Sequence, residues 1–210
     1  MTPEALNLVL QYADYLAVGI FGLSGALAAA HKKQDIVTFI FFACITGVGG
    51  GSVRDLLIGS PVFWIQNPAY ILACLIAAAL GWVLWRPDWR FRAVLWLDAL
   101  GMAGYSVLGA AKSLSLGIHP LSALVMGVLT ATFGGILRDV LAEEPNLLLR
   151  REIYITAAIL GAGVFVILRL VQMDFWMAAL IGFTVAFAVR AGAIQCGWSL
   201  RAFGEKRSGE

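Results

Sequence analysis

Two stretches of this chain carry residues that could do chemistry in an otherwise apolar setting. Thr46 to Leu57 reads TGVGGGSVRDLL, and Thr130 to Leu141 reads TATFGGILRDVL. Each sets an arginine and an aspartate, Arg54–Asp55 and Arg138–Asp139, just after a run of glycines. A charge at mid-membrane costs from about 2.5 kcal/mol upward, so such residues face a cavity and find partners. Neighbours on a helix point about 100° apart, so Arg54 and Asp55 are expected to need different partners. Matching depth assigns Asp14 to Arg54 and Asp98 to Arg138. A structural ion pair and a pathway-lining role both stay open for these charges, and neither excludes the other.

The glycines raise a second question. Each costs about 1 kcal/mol in a helix interior relative to alanine. Gly49, Gly50 and Gly51 are therefore expected to kink or briefly unwind their helix, and Gly134 and Gly135 to do so more mildly. Backbone groups freed inside a membrane must be satisfied by protein or water, so the break should face a cavity, where carbonyls can coordinate a cation. Close approach of a second helix is the other reading of the same glycines.

These residues need elements to hold them. The chain has 210 residues, 60% hydrophobic and only 13% charged, where a soluble domain carries about 25%. Its mean hydropathy is +0.85. Apolar runs separated by polar punctuation predict seven membrane-crossing helices near 12–31, 36–59, 69–86, 94–112, 120–142, 152–170 and 175–196. Pro61, Pro68, Pro87, Pro120 and Pro145 fall at or beyond their ends. The first charge is Glu4, and Lys32 and Lys33 follow the first apolar run, so that run is expected to be a retained helix and not a signal peptide. No soluble domain is expected.

Basic residues set the expected orientation. Lys32, Lys33, Arg86, Arg90, Arg92, Arg150, Arg151, Arg190, Arg201, Lys206 and Arg207 are assigned to one side, and Lys112 and Arg169 to the other. Of the 15 Lys and Arg residues, only Arg54 and Arg138 are assigned to span interiors. The bias predicts an outside N-terminus and a cytoplasmic C-terminus. Contact with anionic lipid headgroups is a secondary reading of the basic loops.

The two motifs are copies. A shift of 84 residues lays one on the other without a gap, matching Thr46 with Thr130, Gly50 and Gly51 with Gly134 and Gly135, and both Arg–Asp pairs. The same shift matches Asp14 with Asp98, Gly25 with Gly109, Pro61 with Pro145 and Tyr70 with Tyr154. The reading is an all-α polytopic membrane protein with repeat one at 12–86, repeat two at 94–170, a seventh helix at 175–196 and a cytoplasmic tail at 199–210. Three spans per repeat make the copies inverted, which points to a solute pathway at their interface.

Other chemistries find no support. GVGGGS lies inside a span, so it is not a dinucleotide loop, and no G-K-[ST] follows it. His31 and His119 stand alone, so neither a metal site nor a hydrolase triad can be assembled. Cys44, Cys74 and Cys196 read as apolar fillers. No catalytic residue, cofactor, nucleic acid or soluble protein partner is expected.

Seven spans, a three-plus-three duplication plus one, and a doubled Gly-Gly-x-x-Arg-Asp resemble the prokaryotic TRIC family, relatives of the trimeric intracellular cation channels. The second copy departs from the first, with Ala131 for Gly47 and Phe133 for Gly49. The resemblance implies a homotrimer in the bacterial inner membrane; membrane lipids are its other expected partner, and whether one is bound as a specific lipid stays open. It implies one pore inside each protomer, lined by bent second and fifth spans carrying Gly49, Gly50, Gly51, Gly134 and Gly135. Arg54, Asp55, Arg138 and Asp139 carry over with them. The implied activity is passive conduction of monovalent cations, chiefly potassium. A transporter for a small zwitterion such as glycine is the alternative, and a non-conducting structural protein a third.

Overall fold

The structure, a computed structural model, describes residues 3–84, 90–144 and 153–199. Among them, eight helices follow in order: α1 Pro3–His31, α2 Ile36–Leu57, α3 Phe63–Gln66, α4 Ala69–Leu84, α5 Arg90–Ser115, α6 Pro120–Leu141, α7 Ile155–Leu170 and α8 Phe175–Cys196. Five of these, α1, α2, α5, α6 and α8, are long and apolar enough to cross a membrane. The expected span 152–170 shortens to α7, of 16 residues, while α4 fills the expected span from Ala69 to the edge of the described segment at Leu84. At that length α7 rises about 24 Å, against a hydrocarbon core of about 30 Å. α3 is a one-turn helix that the sequence reading did not foresee. Arg86, Arg150, Arg151, Pro87, Pro145, Trp85, Trp89 and the tail from residue 200 lie outside the described residues.

Polar residues close the helix ends. Asp35 caps α2, its Oδ1 accepting from the Thr38 amide at 2.8 Å, which holds its carboxyl below the usual range. Asp174 caps α8 by accepting from the Trp176 and Met177 amides. Pro120 opens α6, where its missing N–H is no loss.

The turns repeat at the same offset of 84 residues as the motifs. After α2, Gly59 takes φ 67° and the Ser60 amide returns to Asp55 O at 2.9 Å. After α6, Glu143 takes φ 50° and the Glu144 amide returns to Asp139 O at 3.0 Å. Lys33 and Gly117 form a second matched pair, at φ 54° and 75°, after α1 and α5. A left-handed backbone costs a non-glycine residue about 1–2 kcal/mol. Lys33 and Glu143 accept that cost where their counterparts are glycines, so the backbone path is kept although the residue is not.

The glycine motif does not break its helix. α2 remains helical through Gly49, Gly50 and Gly51, and α6 through Gly134 and Gly135. The expected unwound turn is corrected on physical grounds. Helix propensity costs about 1 kcal/mol per glycine, whereas each unsatisfied backbone group in lipid costs several. The glycines serve close approach instead. A methyl built on Gly50 would overlap the carbonyl oxygen of Thr130, and one on Gly134 that of Thr46. Gly50 with Thr130 and Thr46 with Gly134 can meet together only if α2 and α6 run antiparallel.

Around this central crossing pack Phe21, Met102 and Tyr105, all buried, with Phe21 and Tyr105 edge to face at 5.6 Å. The outer surface carries exposed Val37, Phe41, Leu72, Ile76, Val83, Leu121 and Leu180. That apolar exposure suits a protein solvated by lipid.

Candidate functional site

The antiparallel crossing sends the two Arg–Asp pairs to opposite ends. Each pair lies about six residues past the crossing, which places them roughly 18 Å apart along the axis. At one end, Asp55 is fully buried and collects donors from three elements. Its Oδ1 accepts from Arg54 Nε at 2.9 Å, and Lys112 Nζ donates to both carboxylate oxygens at 2.8 and 2.9 Å. The amide of Phe63 donates to Oδ2 at 3.1 Å. α3 supplies that amide and is itself held by Trp64 Nε1 donating to Ser52 Oγ at 2.8 Å. The Phe63 ring lies 5.9 Å from both Arg54 Cζ and Lys112 Nζ.

Two sequence expectations are corrected here. Arg54 and Asp55 do pair, because a guanidinium on a long stem folds back to its neighbour although the two Cα–Cβ vectors diverge. Asp14 does not form the expected ion pair with Arg54. Its Oδ2 accepts from Tyr70 Oη at 2.9 Å. Both still face one cavity of about 260 Å³, which Gln11, Lys112 and Phe175 also line. Asp14 and Arg54 thus share a space without touching.

At the other end the expected Asp98–Arg138 pair forms, with Arg138 Nη1 donating to Asp98 Oδ1 at 2.8 Å. The same nitrogen donates to Ser24 Oγ at 3.0 Å, and Nε donates to Asp139 Oδ1 at 2.9 Å. Arg138 and Asp98 are 1% and 0% exposed, so the pair is enclosed by protein. Tyr154, the counterpart of Tyr70, places its hydroxyl 2.9 Å from where a Cβ on Gly135 would stand, and Asp98 Oδ1 lies 3.1 Å from that point.

Between the ends the crossing is shut. Thr46 and Thr130 are fully buried. Thr130 Oγ1 donates to Met126 O at 2.6 Å. Methyls on Gly25 and Gly109 would strike Thr46 and Thr130, another matched pair of contacts. Tyr105 Oη donates to the Gly47 carbonyl at 3.0 Å, a bond that its counterpart Phe21 cannot make. Gly49 faces the Leu137 side chain of α6.

Several contributors escaped the sequence reading. Lys112, at the end of the expected span 94–112, was counted only as a charge on the outer side, yet it braces Asp55. Arg190 was assigned to the cytoplasmic side, yet it lies inside α8 and is fully buried, with Cζ 5.1 Å over the Tyr154 ring. Its place in the apolar run TVAFAVRAGAIQ was the signal. Ser24 and Phe63 gave none.

A bundle of apolar helices that buries an Arg–Asp pair at each end of an antiparallel central crossing defines a polytopic membrane protein built from two related halves. The family model described as "Glycine transporter" matches the chain twice, over residues 11–86 and 95–170. The chain belongs to this TRIC-related family. It is 37% identical over 209 residues to a UPF0126 membrane protein of Vibrio cholerae, covering 96% of this chain and 86% of that one. It is 33% identical over 201 residues to the UPF0126 inner membrane protein YadS of Escherichia coli K12, covering 92% and 95%. Its structure resembles crystal structures of the TRIC trimeric intracellular cation channel orthologue from Rhodobacter sphaeroides, with a TM-score of 0.87 and 46% identity over 90% of this chain and 99% of that one.

Proposed function

We propose that this protein is a passive channel for monovalent cations, chiefly potassium, in the bacterial inner membrane. It works as a homotrimer with one pathway inside each protomer. Seven helices cross the membrane, α7 as a short member, in a three-plus-three inverted arrangement completed by α8. The pathway follows the α2–α6 crossing between the two charge clusters, with Asp14, Arg54, Asp55 and Lys112 outside and Asp98, Arg138 and Asp139 inside. The observation that carries this reading is the 46% identity and matching fold shared with the Rhodobacter cation channel. The glycine-packed crossing then corresponds to a closed pathway, and conduction requires α2 and α6 to separate at Gly50 and Gly134.

A second reading, transport of glycine, is favoured by the description of the family model. A cavity holding a carboxylate and two cations suits a zwitterion as well as an ion. Flux into proteoliposomes separates the two. Potassium uptake that rises without saturation, with no uptake of radiolabelled glycine, is the expected result. Saturable glycine uptake without potassium current would replace the channel by the transporter.

A further inference from the structure

We infer that Arg190, on a helix outside the two matched segments, is the second fixed cation of the Asp139-end cluster and sets the field that a permeating ion meets there. The inference rests on the conduction reading above.

Two copies of one motif should carry the same charges, and here they do not. At the Asp55 end, Arg54 and Lys112 stand against Asp14 and Asp55. The residue 84 positions before Lys112 is Ala28, so the matched segment supplies no lysine at the Asp139 end. There, Arg138 alone stands against Asp98 and Asp139 among the matched positions. Arg190 makes up the difference. Its guanidinium lies 5.1 Å over the ring of Tyr154, whose hydroxyl sits beside Asp98 at Gly135. Tyr154 is within electrostatic reach of Asp98, Arg138, Asp139 and Arg190 together.

Arg190 is also the one charged residue in the 22 of α8 and is fully buried. A buried charge in an apolar span is expensive, so it persists where it acts on other charges. Arginine suits this place, since its planar head stacks on an aromatic face and stays charged. Among the described residues, and apart from the half-exposed Lys32–Glu144 pair on the turn beyond α6, Arg190 brings the Asp139-end cluster to two cations and two carboxylates, as at the Asp55 end. The duplication balances one end through α5, and the added helix balances the other.

The full-length protein in lipid bilayers, under a potassium chloride gradient, tests this through its reversal potential. A residue that only braced the fold would not move that reading in assembled protein. Arg190→Lys keeps the charge and should hold the potassium-to-chloride permeability ratio within about twofold of the parent. Arg190→Gln and Arg190→Leu remove it and should raise the ratio roughly 3- to 10-fold, the effect of one unit charge at intermediate dielectric. Two neutral replacements, one polar and one apolar, are used so that misfolding of a single variant does not decide the test. An unchanged ratio in an assembled neutral variant overturns the inference. Failure of both neutral variants to assemble also overturns it, since the charge would then hold the fold and not the field. A parent protein with no potassium current sinks the conduction reading instead.

Discussion

Asp55 shows how a buried carboxylate is supplied with donors in a membrane protein. It has no exposed surface, and it accepts from Arg54, from Lys112 twice and from the Phe63 amide. Removing its charge leaves two cations facing each other. Asp55→Asn should therefore destabilise the protein by about 3–5 kcal/mol, the usual loss when one member of a buried pair is deleted. Lys112→Gln should cost much less, because that side chain is 31% exposed and water can compensate. The double variant should regain part of what Asp55→Asn loses, since one stranded cation goes with the anion. Thermal unfolding in detergent measures all three, and a double variant no better than Asp55→Asn would refute the Lys112 brace. The partner of Asp55 could not be read from adjacency. Sequence spacing gives the direction in which a side chain leaves the helix, but a guanidinium reaches past that direction. The Asp98–Arg138 pair was legible because the repeat fixed both depths. Asp14 was assigned to Arg54 by the same rule, and it accepts instead from Tyr70 Oη at 2.9 Å.

The helices themselves were legible from apolar length, and α2 and α6 appear close to their expected limits. What the sequence did not reveal was the purpose of their glycines. Propensity favours a break, but propensity is worth about 1 kcal/mol and lipid penalises broken hydrogen bonds more. The decisive fact is what each missing Cβ would meet, which depends on the facing helix. At Gly50 it is the rigid carbonyl of Thr130, at Gly51 the ring of Phe63, and at Gly49 the tip of Leu137. Alanine at these positions should hurt in that order. Gly50→Ala should cost roughly 1–3 kcal/mol or more by overpacking, because backbone cannot step aside, and Gly49→Ala should be nearly silent, because a leucine rotates away. Melting temperatures of the three variants in one detergent would test the order. Equal shifts would mean that helix propensity, not the crossing, governs this segment.

At the scale of the molecule, duplication leaves its mark on backbone, packing and charge. The turn after α1 and the turn after α5 share a left-handed residue and the same returning hydrogen bond, Gln34 N to Ala29 O and Ile118 N to Ser113 O. In a soluble protein two such turns could lie anywhere. In an inverted membrane repeat they must lie on opposite faces, and the orientation proposed from the charge bias puts the first in the cytoplasm. Gln34 and Leu116 are both exposed on these turns, so a cysteine at either would be open to a reagent on its own side. Cys44, Cys74 and Cys196 are first replaced by alanine, because Cys196 is itself exposed. In intact cells an impermeant maleimide should then label Leu116→Cys and leave Gln34→Cys untouched. Opening the membrane should make both react. Labelling of both sites in intact cells would place the turns on one face and end the inverted reading. Labelling of Gln34→Cys alone would keep the inversion and reverse the orientation, so that the Asp139 cluster would face outward.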